Sequence, residues 1–153
     1  MSRNDHAILK ELDDHPIPAG NSMLAHVLLR LSRLWGDDEL ERLAVSVLRL
    51  VRPALTRSPS GFGWALCALD LHLSPPREVA IAGDVRSDVA RAALEPFQPR
   101  TVVADGPDDT VPLLHGKQLV DGLTAVYVCE RFVCATPVTN KQSFPESLES
   151  SKA

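Results

Sequence analysis

The 153-residue sequence lacks the features that mark the commonest macromolecular partners. It has no basic patch, and its net charge of −4 argues against nucleic acid as a partner. Its apolar runs are too short to cross a bilayer, and its first residues are polar, unlike those of a signal peptide. We therefore expect neither a membrane nor a nucleic-acid partner, and a cytoplasmic location.

Cysteine is scarce, and three cysteines fit reduced thiols better than a disulfide framework. Cys129 and Cys134 have four residues between them, instead of the two that separate the cysteines of redox helices. Packed thiols, a reversible disulfide and a metal site with His115 all remain open for this pair. A metal site would need a further ligand that the sequence does not supply, so we predict none. Cys67, within an apolar helical pattern, is predicted to be a packed thiol.

Glycine motifs for phosphate are also missing. Gly83 and Asp84 follow a predicted strand, but no further glycines occur at dinucleotide spacing and no Gly-Lys-Ser/Thr motif is present. We interpret this turn as structural, and we predict no cofactor. Two more acids, Asp105 and Glu130, could serve as an acid or a base, but sequence spacing cannot pair them across a pocket.

The strongest pattern that is present is a helical hairpin over residues 21–52. Two apolar stripes with a helical period comprise Leu24, Val27, Leu28, Leu31, Leu34 and Trp35, then Leu40, Leu43, Ala44, Val47, Leu48 and Val51. Gly36 can close the first helix and Asp37 can cap the second, which predicts an antiparallel pair. Pro53 is expected to end the second helix. Because the stripes are too wide for the hairpin to cover both, it needs a partner surface.

A change of hydrophobic period follows the hairpin. A third helix over 62–73 is apolar nearly all round, which predicts that it is buried. A strand over 78–82, a helix over 87–94 and a strand over 101–104 then predict a βαβ unit with parallel strands. Two more strands are predicted at 124–129 and 132–135.

These elements predict an α+β fold, with an N-terminal helical hairpin and third helix before a small βαβ-containing sheet. We divide the chain into a leader and ordered loop over 1–20, a helical hairpin region over 21–76 and a small α/β unit over 77–139. Residues 140–153 carry too little apolar surface to offset their ordering entropy, so we expect a disordered tail.

The loop before the hairpin holds the candidate pocket residues. Pro16 and Pro18 favour an extended backbone there. Asn21 or Ser22 is expected to cap the first helix. An alternative interpretation is that Asp14, Asn21 and Ser22 line a ligand pocket at the mouth of this helix. The ligand itself is unknown.

Several motifs resemble the C-terminal portion of the large thioredoxin-domain-containing proteins related to the spermatogenesis-associated thioredoxin-like protein. The matching stretches are Asp14 with Pro18 to Ser22, the following Leu-Leu-Arg-Leu helix, Leu73 to Gly83, Pro112 to Lys117 and Tyr127 to Thr139. The resemblance covers roughly residues 5 to 140, and Asn140 stands where the family usually has an acid.

The resemblance implies a partial α/α toroid similar to six-hairpin glycosidases and sugar epimerases, together with an α/β appendage. The family's thioredoxin-type active-site segment has no counterpart in this sequence. We therefore expect a non-catalytic, or not independently catalytic, C-terminal module, which self-associates or binds a separate chain that supplies the missing helices. The alternatives are part of a carbohydrate-processing site at Asp14, Asn21 and Ser22, and thiol redox through Cys129 and Cys134.

Overall fold

The computed structural model describes residues 12–107 and 110–144. In chain order the elements are helices α1 (Gly20–Trp35), α2 (Asp38–Arg57) and α3 (Gly63–Leu73), strand β1 (Arg77–Ala82), helix α4 (Asp88–Leu94), and strands β2 (Thr101–Asp105), β3 (Ala125–Glu130) and β4 (Val133–Cys134). Single 3₁₀ turns occur at Pro59–Gly61 and Pro112–Leu114. The predicted α+β class, with helices first and a sheet after them, is confirmed.

The joint of the hairpin has the predicted chemistry. Gly36 closes α1 in the left-handed conformation, with φ of 66°, which a glycine adopts at little cost. The Asp37 side chain accepts the amide N–H groups of Glu39 and Leu40 at 2.8 and 3.4 Å. This cap satisfies donors that the first turn of α2 would otherwise leave unpaired.

Helix α2 does not end at Pro53, so that prediction is wrong. The helix continues to Arg57, although proline supplies no amide N–H for the helical ladder. Beyond the proline, Ala54 and Leu55 pack against a small core that contains Val51 and Phe62. Tertiary packing of the last turn therefore outweighs the local cost of proline in this helix.

Helix α3 lies against α1, and the three helices share one core. Its buried members are Ala25, Leu29, Ala44, Leu48, Ala68 and Leu71. The prediction that α3 is buried all round is wrong, because Trp64 and Leu73 are exposed by 42% and 73%. Alanine forms half of this core and lets the helices approach closely, while Trp64 and Leu73 lie outside it.

The sheet has the strand order β2-β1-β3-β4. Strand β1 pairs parallel with β2 and antiparallel with β3, and β3 pairs antiparallel with β4. The predicted βαβ unit is therefore confirmed. One sheet core contains Val79, Ile81, Val89, Ala90, Ala93, Val126, Val128 and Phe144, and a second contains Ala80, Val102, Ala104, Leu113, Leu114 and Cys129. Leu34 of α1 packs against the second core and so joins the helices to the sheet.

Packing explains why the turn after β1 contains a glycine. Gly83 has φ of 120°, and a Cβ atom there would lie 2.6 Å from Thr124 Oγ1. The Asp84 amide N–H donates to the same oxygen at 2.9 Å. The turn thus needs a glycine for its close approach to Thr124.

The two terminal predictions fall largely outside the described residues. These exclude 1–11 of the predicted leader and 145–153 of the predicted tail. In the described part of the tail, Phe144 is buried in a sheet core, and Asn140 accepts the Ser143 amide N–H at 2.9 Å.

Candidate functional site

Asp14 joins the beginnings of two helices. Its Oδ1 accepts the Ala19 amide N–H at 2.9 Å, just before α1. Its Oδ2 accepts the Trp64 and Ala65 amide N–H groups at 2.8 and 3.1 Å, in the first turn of α3. One carboxylate therefore caps α3 and fixes the entry to α1, where the positive ends of the helix dipoles favour its charge.

The pKa of Asp14 lies below its ordinary value. Burial acts in the opposite direction and raises it, but the hydrogen bonds from Ala19, Ala65 and Trp64 outweigh burial because they stabilise the ionised form. The nearby Ser22 hydroxyl also lowers the pKa of Asp14, although it makes no hydrogen bond of its own within the described part of the chain.

Asn21 and Ser22 lie inside α1, so the prediction that one of them caps this helix is wrong. The cap position is Ala19, whose side chain has no acceptor, and Asp14 supplies the missing carboxylate from five residues upstream. Ser22 is buried and Asn21 is half-buried. Asp14 and Ser22 therefore lie together, but none of the three predicted pocket residues lines the cavity described next.

A cavity of about 190 Å³ lies where the helices meet the sheet. We call it the junction cavity, and its polar walls include Arg33, Glu41, His72, Glu78 and Arg131. These side chains come from α1, α2, α3, β1 and the β3–β4 turn, so the fold assembles them from distant parts of the chain. Asp37 and Asp38, at the start of α2, add two more acids to its rim.

Glu78 is the least ordinary group of the junction cavity, because this carboxyl-bearing residue is only 1% exposed. Burial raises the pKa of Glu78, whereas the Phe132 amide N–H, which donates to Oε2 at 3.4 Å, and the charge of Arg33 act to lower it. A buried carboxyl with a raised pKa in a cavity is a recognised candidate for a functional group.

Arg33 and His72 are already engaged with other parts of the cavity wall. The Arg33 guanidinium donates to the backbone carbonyls of Leu71, Ser74 and Arg100, which ties α1 to the end of α3. His72 Nδ1 lies 3.2 Å from Glu41 Oε1, so the two form an ion pair when the imidazole is protonated. Arg33 therefore acts as a clamp between α1 and the end of α3.

Sequence reasoning did not find the junction cavity. Glu78 was included in a buried strand, and its charge within that apolar run was the available signal. No sequence pattern could indicate the ion pair of Glu41 with His72, because the two residues are 31 positions apart and only the packing of α2 beside α3 brings them together.

Cys129 and Cys134 form a disulfide in the structure. The two residues are directly opposite each other on β3 and β4, with their Cα atoms 3.9 Å apart. Of the three alternatives that the sequence left open, the structure shows the disulfide. The prediction for Cys67 is wrong, because this free cysteine is exposed on α3 and is not a packed thiol.

The other candidate residues lie apart from these features. Asp84, Asp105, Glu130 and His115 are all exposed. Across residues 12–107 and 110–144, no group of three or more His, Cys, Asp or Glu side chains is placed to hold a metal ion. None of the helices in this described part of the chain combines the length and the hydropathy that a bilayer span requires.

Large apolar side chains remain exposed on the hairpin. The five most exposed, with fractions from 41% to 63%, are Leu24, Val27 and Trp35 on α1, and Leu43 and Leu50 on α2. We call these two sets the hairpin ridges. On α1 they lie away from Ala25 and Leu29, which face the helical core. Half of the stripe predicted for α1 is therefore exposed, whereas Leu28 and Leu34 pack against the helical core and a sheet core.

Comparisons with known proteins give distant relatives. The chain is 27% identical over 143 residues to spermatogenesis-associated protein 20 of Rattus norvegicus. It is 26% identical over the same length to the proteins of that name from Homo sapiens and Mus musculus. Each match covers 86% of this chain but only 18% of the relative's length. No family model and no solved structure matches the chain.

These matches support part of the resemblance that the motifs suggested. They connect the chain, at low identity, with the spermatogenesis-associated, thioredoxin-domain-containing family. The relation to six-hairpin toroids stays a prediction.

Proposed function

We propose that this chain is a C-terminal module, not independently catalytic, that packs its hairpin ridges against further helices. The observation that carries the proposal is the exposure of Leu24, Val27, Trp35, Leu43 and Leu50 on a hairpin whose inner side is well packed. Exposed apolar groups that recur along neighbouring helices are typical of surfaces that another element covers.

The comparisons support an occupant made of additional sequence. The matched relatives have most of their length outside the region that this chain resembles. Helices from such sequence, in the same polypeptide or in a separate one, would cover the hairpin ridges. In the isolated chain a second copy would take their place, because the same apolar surface is available on both molecules.

Light scattering over a concentration series tests the proposal. We expect the purified chain to self-associate and to bind a hydrophobic dye. Leu24→Glu and Leu50→Glu should each reduce both signals. Phe97→Glu is the matched control, because it makes the same change of charge at a side chain that is 92% exposed outside the hairpin, and it should leave association unchanged. A monomeric wild-type chain that binds no dye would refute the proposal.

We propose as a second candidate that the junction cavity binds a small, uncharged polar ligand such as a polyol. Buried Glu78, with its raised pKa, is the observation that favours this function. Four acids and two arginines surround the cavity, namely Asp37, Asp38, Glu41, Glu78, Arg33 and Arg131. This excess of acids disfavours a phosphate or carboxylate ligand.

A thermal-shift screen of sugars and polyols, with sugar phosphates for comparison, tests the second candidate. A ligand of the folded state should raise the melting temperature in proportion to its affinity and concentration. Glu41→Gln should weaken the shift, whereas Glu95→Gln, at an exposed glutamate outside the cavity lining, should not. If no sugar or polyol stabilises the wild-type chain, this candidate is wrong.

A further inference from the structure

The turn between β3 and β4 has an unfavourable backbone. It links Glu130 to Val133 through Arg131 and Phe132, whose φ angles are 48° and 66°. Two-residue hairpin turns of this kind favour Asn and Gly, because side chains disfavour the left-handed region. Neither residue has the amide side chain or the missing Cβ that eases this conformation, so the turn needs support from its surroundings.

The strand pairing beside the turn is short, although the Ala135 amide N–H donates to the Val128 carbonyl and Val138 pairs with Val126 farther along β3. Strand β4 contains only Val133 and Cys134, paired with Glu130 and Cys129. The disulfide closes the hairpin one residue beyond each end of the turn. It therefore ties the two strand ends together directly beside the turn.

The same turn forms one wall of the junction cavity. The Phe132 ring rests on the helical joint, where a Cβ atom on Gly36 would lie 3.1 Å from the ring. The Phe132 amide N–H donates to Glu78 Oε2, and Arg131 lines the cavity. Movement of the turn would therefore uncover the cavity and remove a hydrogen bond from a buried carboxyl group.

The two cysteines differ in exposure, which favours one route for reduction. Cys129 is fully buried, whereas Cys134 is partly exposed. A thiolate of a dithiol reductant would attack Cys134 Sγ and form a mixed disulfide, while Cys129 leaves as a thiolate. The second thiol of the reductant then displaces Cys134 and closes its own disulfide. Two electrons and two protons pass from the dithiol to the two cysteines.

We propose that the Cys129–Cys134 disulfide is a redox latch that holds the Arg131–Phe132 turn over the junction cavity. A dithiol opens the cavity by reducing this disulfide. This extends the second candidate function by adding its regulation. The latch itself requires no ligand, so its test separates it from the ligand hypothesis.

Hydrogen exchange of the full chain, oxidised and after treatment with dithiothreitol, tests the latch. A Cys67→Ser background removes the exposed third thiol from both samples. Reduction should speed exchange in residues 130–134 roughly tenfold or more, the order of change expected when one left-handed residue loses its support. Exchange in 33–41 and 77–82 should rise by a smaller factor, and exchange in β2 should not change.

Arg131→Gly is the matched variant, because glycine adopts the left-handed conformation without penalty. In this variant the turn should stand without the disulfide, so reduction should speed exchange in residues 130–134 less than in the Cys67→Ser background. A melting curve of each reduced sample checks that the chain remains folded.

Four results would overturn the proposal. They are an oxidised sample whose mass shows free thiols at both cysteines, unchanged exchange in 130–134 on reduction, the same increase in Arg131→Gly, and a uniform increase over the whole chain. The last result would mean that the disulfide stabilises the whole fold and not this turn in particular. A wild-type chain that binds no polyol yet shows the localised increase would refute the ligand hypothesis and keep the latch.

Discussion

The helical and the α/β parts of the chain bury their apolar residues in different ways. In the α/β part, Val79, Ile81 and Val126 have no exposed surface, and both faces of the sheet have a packed core. In the helical part the core is made largely of alanine and leucine on the inner sides, and the hairpin ridges face outward. The sheet is covered on both faces, although Val103 and Val133 on its outer strands are exposed, whereas the hairpin is covered on one side.

This difference separates two roles within one small fold. A surface that the chain covers by itself contributes to its own stability, since each buried side chain gains its full transfer free energy. A large apolar surface left open contributes little until another element covers it. The hairpin ridges thus indicate an interface, and the sheet indicates the part of the chain that holds its shape alone.

The largest expected effect is in the sheet. Ile81→Ala should reduce the free energy of unfolding by about 2–5 kcal/mol, because it leaves a cavity at a fully buried position. Urea denaturation followed by circular dichroism measures it. Val133→Ala, at a position that is 78% exposed on β4, is the control and should change stability little. A small loss for Ile81→Ala would mean that the sheet is no better packed than the hairpin.

The second largest effect is expected at Asp14, which joins the beginnings of α1 and α3. Asp14→Ala should cost about 1–3 kcal/mol, because three amide N–H groups at two helix beginnings lose their acceptor. The same denaturation experiment measures the loss. Asp13→Ala removes the neighbouring exposed carboxylate and should cost much less.

The pH dependence of Asp14 follows from its lowered pKa. Its ordinary value is 3.8, and its folded-state value lies below that. Its contribution to stability is therefore present above pH 3.8 and is lost as the pH falls through the folded-state pKa. The stability difference between wild type and Asp14→Ala should shrink over that acid range. A difference that stays constant down to the acid limit would contradict the role of the ionised carboxylate.

Asp14 also shows how far the sequence could predict this fold. Local signals were sufficient for the hairpin joint at Gly36 and Asp37 and for the βαβ unit, because turn chemistry and hydrophobic period act over a few residues. The partners of Asp14 in α3 lie 50 and 51 residues away, so no local pattern could indicate them.

The junction cavity was missed for the same physical reason. Its walls come from five elements, and only the packing of the helices against the sheet brings Glu78 near Arg33. The prediction that Pro53 ends α2 failed because packing of the following turn against Phe62 outweighed the local tendency of proline to end a helix.

A third effect, smaller and of opposite sign, is expected at the boundary between the two parts. Burial raises the pKa of Glu78 above its ordinary 4.5, so the folded chain holds this proton more tightly than the unfolded chain. The contribution of Glu78 is fully present below pH 4.5 and is lost as the pH rises through the folded-state pKa. Glu78→Gln keeps an acceptor for the Phe132 amide N–H and removes this loss.

Melting temperatures from acid to neutral pH measure the effect at Glu78. The Glu78→Gln variant should melt above wild type at neutral pH, and the two curves should converge in acid. Glu95→Gln, at an exposed position at the end of α4 and not among the groups that act on Glu78, should follow wild type throughout. A lower melting temperature for Glu78→Gln at neutral pH would mean that the attraction between Glu78 and Arg33 outweighs burial.

The smallest expected effect is on the hairpin ridges. Leu50 is 63% exposed, so Leu50→Ala should change the unfolding free energy of the dilute chain by no more than about 0.5 kcal/mol. Leu71→Ala makes the same chemical change at a position that is 1% exposed, and it should cost about 2–5 kcal/mol. At high concentration wild type should gain stability through association, and Leu50→Ala should gain less. If Leu50→Ala costs as much as Leu71→Ala in dilute solution, something within the chain already covers Leu50, and the hairpin is as closed as the sheet.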